Sequence, residues 1–319
     1  MLHRHSGFGR PLQQLRKHIN ESRGLKVRCR SRINSVVFIV VMLVTQGGCN
    51  TTRVGAKDTT APKLRVSMIP TTDPGKLIRD SQAFVSYLQE VTGRKVELNV
   101  PTNYAAVVEA AVNDKVDIAY FGGFTYVQAT RRAGVKPLVQ RDIDQKFRSV
   151  FVTQTNSRIK SLGDLNGHSF AFGDVNSTSG HLMPSYFMRE AKVDAAVVER
   201  AFYTGGHDAT ALAVANKKVD AGAMDELVFV RMMKKGEITD AQVRVFYTTP
   251  PFFDYVWAGR KDLDAKIGED FAKAMIGLDT KRPEHKAILD FLNAAQFVRA
   301  DDSNYDRLRE AAKADGLLK

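Results

Sequence analysis

Between Phe172 and Gly180 a strand ends and a polar loop follows, and in that loop Ser177, Thr178 and Ser179 place three hydroxyls in succession. A helix begins near Ser179 and runs on through His181 to Arg189. The free N–H groups of a helix's first turn, and the positive end of its dipole, point at whatever occupies such a loop. Adjacent hydroxyl donors complete a cradle for a few anionic oxygens. Plain capping is the competing reading, but it needs one Ser or Thr, and three followed by Gly180 exceed that need. The loop lacks the Gly-Lys-Ser/Thr ending of a nucleotide phosphate loop. Hydroxyls and amides without a dedicated lysine suit a small oxyanion held reversibly.

Other polar residues fall at strand ends, where open α/β sheets collect their ligands. Tyr104 begins a helix, and Tyr120 and Tyr126 flank Phe121–Phe124. Gly205-Gly206-His207-Asp208 joins a strand to a helix, and Asp225-Glu226 closes the strand that begins at Val219. The stretch Thr248–Trp257 holds two prolines, Asp254 and the only tryptophan. Each also has a plainer reading: a solvated loop histidine, a helix-capping Asp225, core tyrosines, and a simple loop at Thr248–Trp257.

Strands and helices alternate around these residues. Leu64–Ile69 alternates and stops at Pro70; Asp73-Pro74 opens a helix whose apolar positions recur to Leu88 and which Gly93 ends. A strand at Val96–Val100, a helix at Tyr104–Asn113 and a strand at Val116–Phe121 follow. The pattern continues through strands at Ser169–Gly173, Arg200–Tyr203, Val219–Met224 and Val243–Tyr247. Strands spaced by helices predict βαβ units, and so many strands predict two lobes rather than one core. Ala105–Ala119 and Thr210–Ala223 share an apolar helix, a polar break and a Val-Asp strand entry, a weak sign of two similarly built lobes.

The 319 residues carry a formal charge of +12, which raises nucleic acid as a partner. Position removes it. Residues 1–34 hold nine basic residues against the single acid Glu21, so +8 of the +12 lies there and +4 remains for the rest. The apolar run Ser35–Thr45 comes next, then Gln46-Gly47-Gly48-Cys49, which is the build of a secretory signal. The run is far shorter than the roughly 20 residues of a membrane span. Its basic stretch is longer than a signal needs, as an upstream start codon would give. Cys49 after two glycines resembles a lipoprotein processing site, although Gln46 stands where an apolar residue is usual. The polar segment 50–62 reads as a tether. Cys29 and Cys49 are too few for a disulfide framework or a four-cysteine metal site.

Taken together these segments resemble the periplasmic substrate-binding proteins of ABC importers for phosphonate, phosphite and related phosphorus oxyanions. The resemblance rests on Val116–Tyr126, Ser161–Gly167, Ser177–Gly180 with Pro184, Gly205–Asp208 and Val219–Ala223, and spans Lys63 to the C-terminus. It implies a two-lobed α/β fold of the type II periplasmic-binding-protein kind, each lobe a mainly parallel sheet flanked by helices, with two crossovers near Gln140–Phe151 and Thr248–Trp257. The implied organisation is a signal at 1–49, a tether at 50–62, one lobe from 63–145 plus 255–319 and the other from 146–254. Ligand contacts carried over are Tyr104, Ser177, Thr178, Ser179 and His207, with Tyr120 or Tyr126 as a further tyrosine. Asp225 or Glu226, and Asp254, stand near where relatives place acids for a ligand amino group, though a carboxylate could equally accept from a protonated oxyanion, and Cys49 is the expected lipid anchor. The resemblance implies a monomer with no cofactor or metal, an ABC permease as partner, and a periplasmic, membrane-anchored location. A sensor partnered with a membrane histidine kinase would use the same site. A periplasmic hydrolase built on His207, Asp208 and a serine is disfavoured, since the chain has neither a Gly-x-Ser-x-Gly elbow nor a His-rich metal cluster.

Overall fold

The structure, a computed structural model, describes residues 63–318; the leader, Cys49 and most of the tether lie outside the described residues. Strand β1 (Leu64–Met68) leads into α1 (Pro74–Asp80) and α2 (Gln82–Thr92), two helices where periodicity predicts one. Asp73 caps α1 by accepting the Lys76 amide. At Ser81 the side-chain hydroxyl donates to the Ile78 carbonyl at 2.8 Å, a local bond that competes with the helical ladder and breaks the run. Then come β2 (Val96–Asn99), α3 (Tyr104–Val112), β3 (Ile118–Phe121), α4 (Gly123–Ala133) and β4 (Lys136–Arg141).

The chain next builds β5 (Ser149–Gln154), β6 (Phe170–Phe172), a π-helical turn (Thr178–Leu182) continuous with α5 (Met183–Glu190), and α6 (Ala195–Glu199). β7 (Phe202–Tyr203), α7 (His207–Ala215), β8 (Ala221–Asp225), α8 (Glu226–Lys234) and β9 (Val243–Thr248) complete this part. It returns as β10 (Val256–Gly259), α9 (Ala265–Ile276), α10 (Pro283–Leu292), β11 (Phe297–Arg299) and α11 (Asp306–Ala314).

Two sheets result, in the orders β11-β4-β10-β3-β1-β2 and β7-β6-β8-β5-β9. The two-sheet α/β class stands, while the pairing is more mixed than alternation alone conveys. The βαβ parts β2-β1-β3 and β7-β6-β8 are parallel. β10 and β5 each enter their sheet directly from the other one, so they run antiparallel to their neighbours. Trp257, expected in a loop, lies in β10 at the centre of the first sheet's core, its ring 4.9–5.4 Å from Tyr120, Phe84 and Phe271.

The two connections between sheets, residues 142–148 and 249–255, are fastened to each other. Phe147 and Phe252 exchange both backbone hydrogen bonds at 3.0 Å, and the Asp254 amide donates to the Asp144 carbonyl at 3.1 Å. Beneath them Arg141 and Asp144 form a fully buried fork, Nε to Oδ2 2.8 Å and Nη2 to Oδ1 2.5 Å. Arg141 also donates to the Leu292 carbonyl at 3.1 Å, and its guanidinium lies 4.9 Å from the Tyr255 ring. Removing one member strands the other charge in the interior, so Asp144→Ala should lower unfolding free energy by about 3–5 kcal/mol, read by denaturant titration.

Candidate functional site

The hydroxyl loop closes on itself. The Gly173 amide donates to the Gly180 carbonyl at 2.9 Å, and Ser177 caps the following helix by accepting the Gly180 amide at 3.0 Å. The helix opens with a π turn, Leu182 N–H to Ser177 carbonyl at 3.0 Å, a wide geometry found mostly at functional sites. Ser177, Thr178 and Ser179 are all buried. Thr178 Oγ accepts the Phe124 amide at 2.9 Å, and its own hydroxyl favours the charged form of Asp254. Among the described residues Ser179 Oγ has no hydrogen-bond partner.

His207, the first residue of α7, stands beside this loop and is fully buried. The Asp225 amide donates to its Nδ1 at 3.2 Å. Burial holds the imidazole below its ordinary pKa, chiefly by desolvation, so the ring is neutral at pH 7. Since Nδ1 accepts, the single proton sits on Nε2, which faces the hydroxyls of Tyr104 and Tyr255, each 3.4 Å away. His207 is therefore a neutral donor there. Gly180 lets the ring come this close: a Cβ at that position would lie 3.0 Å from His207 Cε1 and from Ser177 Oγ. Gly180→Ala should accordingly displace one of them and weaken ligand binding about tenfold by calorimetry, with the helix retained.

Asp225 has a different role from the one expected. Its Oδ1 accepts the Leu227 and Val228 amides at 2.7 and 3.0 Å, capping α8, and its Oδ2 accepts the Tyr255 hydroxyl at 2.9 Å. It caps and orients, and no ligand amine is needed to account for it. Asp254 differs: Oδ1 accepts the Gly123 amide at 2.9 Å, while Oδ2 is buried without a partner among the described residues. Burial pushes its carboxyl up to about 7, against the Gly123 amide and the Thr178 hydroxyl, which favour the charged form.

The tyrosines separate. Tyr104 joins the cluster; burial and the nearby acids Asp174, Asp254 and Asp225 hold its phenol protonated, a donor at any ordinary pH. Tyr120 stacks on Tyr255, centroids 5.3 Å apart and planes 12° from parallel, and so backs the site. Tyr126 is not brought there. It lies on the face of α4 turned to α11, donating to Asp302 at 2.6 Å and packing 4.7 Å from Tyr305. Tyr255 belongs to the cluster and escaped the sequence reading; its one clue was adjacency to Asp254 on a crossover. In sum Ser177, Thr178, Ser179, His207, Tyr104, Tyr255 and Asp254 converge from both sheets and a crossover. The cluster is rich in hydroxyl and imidazole groups, and the buried guanidinium of Arg141 lies 4.9 Å from the Tyr255 ring.

A two-sheet α/β protein with a buried cluster of neutral donors between its sheets is of the solute-binding class. Residues 66–305 match the family described as ABC transporter, phosphonate, periplasmic substrate-binding protein, and the chain belongs to it. It is 34% identical to the probable ABC transporter phosphite binding protein PhnD1 of Prochlorococcus marinus, over 78% of this chain and 89% of that one. It is 28% identical to the phosphate-import protein PhnD of Mycolicibacterium smegmatis, over 80% and 84%. The structure of Prochlorococcus marinus PhnD1 in complex with methylphosphonate superposes with a TM-score of 0.76 at 32% identity, covering 80% of this chain and 99% of that one.

Proposed function

We propose that this chain captures a small phosphorus oxyanion (phosphonate, phosphite or phosphate), closes its two lobes over it and delivers it to the permease of an ABC transporter. The observation carrying this reading is the pair of buried oxygens without partners among the described residues, Ser179 Oγ and Asp254 Oδ2, within a set of hydroxyl and imidazole donors. A buried polar group left unsatisfied costs about 1–3 kcal/mol; an oxygen of a tetrahedral anion accepts from the Ser179 hydroxyl, and a proton held between another of its oxygens and Asp254 Oδ2 satisfies the acid, whose carboxyl is pushed up to about 7. The relatives agree in ligand class: PhnD1 of Prochlorococcus marinus is named a probable phosphite binding protein and was solved with methylphosphonate, and the Mycolicibacterium smegmatis relative is a phosphate-import protein. Binding without turnover fits a site whose histidine is fixed as a donor and faces no free nucleophile–base pair. A lipid on Cys49 would hold the protein at the membrane.

A thermal-shift panel on residues 50–319 tests the ligand class with methylphosphonate, phosphite, phosphate, 2-aminoethylphosphonate, arsenite and sulfate. A ligand at a hundred times its Kd adds about 2.7 kcal/mol, or about 5–10 °C for a chain of this size. At least one phosphorus oxyanion should give such a shift, with no inorganic phosphate released from the phosphonates. A panel without any shift would sink the reading. Detergent-phase partitioning of the full chain against Cys49→Ala tests the anchor, and equal partitioning would exclude it.

A further inference from the structure

The residues facing the oxyanion position do not include Asp174, yet its carboxylate joins the hydroxyl loop to the opposite sheet. Oδ1 accepts the Asn176 amide at 2.7 Å and the Asp174 carbonyl accepts the Ser177 amide at 2.9 Å, which shapes the turn that presents Ser177. Oδ2 accepts the Tyr104 amide at 3.3 Å, at the first residue of α3 in the other sheet's layer. Tyr104 in turn carries the hydroxyl that stands 3.4 Å from His207 Nε2. One buried carboxylate thus fixes the loop with one oxygen and the phenol-bearing helix start with the other. Two further contacts cross beside it: Thr178 Oγ accepts the Phe124 amide at 2.9 Å, and Gln128 Nε2 donates to Asn176 at 3.0 Å.

The first amides of α3 and α4 are taken up in the same way by side chains of the protein. Helix starts in a two-lobed oxyanion binder would be expected to face the ligand. Here Tyr104, Gly123 and Phe124 give their amides to Asp174, Asp254 and Thr178. Asp254 lies on the crossover beside β3, in Gly123's own layer, but the Tyr104–Asp174 and Phe124–Thr178 bonds join different layers and can exist only while the sheets are close together.

We infer that Asp174 is a positioning residue that couples ordering of the hydroxyl loop to closure, so that it governs ligand release rather than ligand encounter. The inference rests on the capture-and-closure reading above. Opening must break the Tyr104–Asp174 bond, whereas a ligand entering the open form meets the loop already turned by Oδ1.

Asp174→Asn isolates the two halves. An asparagine Oδ1 keeps the turn, and its NH2 group faces the Tyr104 amide donor to donor. The test uses residues 50–319 with methylphosphonate as probe, or whichever anion of the panel binds the unmodified protein. Stopped-flow kinetics should show release about tenfold faster in Asp174→Asn, with association changed less than about threefold. Small-angle scattering should show a smaller ligand-driven contraction. Asp174→Ser, which keeps a short turn-forming oxygen, carries the same expectation should the asparagine variant fold poorly. Release at the unmodified rate in a folded variant, or an equal slowing of association, would overturn the inference. An unmodified protein that binds none of the anions would instead overturn the capture reading itself, so the two failures are distinguishable.

Discussion

Replacing His207 by alanine should reduce affinity for the oxyanion about a hundredfold or more, while circular dichroism shows an intact fold. A hydrogen bond to a charged ligand is worth about 1.5–3 kcal/mol, or roughly tenfold to a hundredfold. His207→Ala goes beyond the lost bond for two reasons. The Asp225 amide, which donates to Nδ1 at 3.2 Å, is left buried without an acceptor. The Tyr104 and Tyr255 hydroxyls lose the group they both face. His207→Gln, which can present an amide N–H toward the Nε2 position, should recover part of the affinity. Ser177→Ala should sit nearer tenfold, since the alanine removes one hydroxyl and one cap but leaves the ring in place. Unchanged affinity by calorimetry in both His207→Ala and Ser177→Ala would remove the site from this loop.

Charge distribution explains why the imidazole matters so much. The carboxylates Asp174, Asp225 and Asp254 are buried around the cluster, and Arg141, the buried guanidinium nearby, is already forked to Asp144. An anion placed among acids depends on neutral donors held in fixed directions, and His207 and Ser177 are each fixed by a second contact. Nδ1 of His207 is held by the Asp225 amide and Ser177 by the Gly180 amide, while Tyr255 gives its own proton to Asp225 and lines the site as an acceptor. The donors are oriented before the ligand arrives, which lowers the ordering cost of binding.

The parts of this site legible in the sequence are the ones whose geometry is local. Ser177 to Gly180 form their cradle within one turn of chain, and Gly205-Gly206-His207 must put the histidine at a helix start, so residue type and spacing sufficed. The tyrosines could not be sorted that way. Tyr120 and Tyr126 bracket the same glycines, but one lies on β3, backing Tyr255, and the other on the α11 face of α4. Which face meets which neighbour depends on packing between elements distant in sequence. Tyr255 was hidden for the same reason: it reaches His207 only because β10 re-enters the first sheet between β3 and β4. Among the strands, β5 is buried along nearly its whole length and shows no alternation to betray it. The short β11 has too few residues for any period.

The pH dependence of binding should be set by Asp254, whose carboxyl is pushed up to about 7 by burial. Below that pH the group is protonated and can donate to the anion through Oδ2; above it, a carboxylate would face the ligand's charge at close range. The sign follows from linkage: the bound anion favours the protonated acid, so binding takes up a proton once pH exceeds the free protein's value. Affinity should therefore be level on the acid side of about 7 and fall by up to tenfold per pH unit above it. The ligand titrates too, so the quantity to measure is the ratio of affinities between the unmodified protein and Asp254→Asn, in which the ligand's own protonation cancels. That ratio should be flat at low pH and decline above about 7. The ligand-free protein should show the companion effect in stability. A carboxyl raised from 3.8 to about 7 contributes stability fully present below its unfolded value and lost as pH rises toward 7. Asp254→Asn should flatten that part of the denaturation profile. A binding ratio independent of pH from 6 to 9 would show that Asp254 exchanges no proton with the bound anion, and its unpartnered oxygen would then need another role.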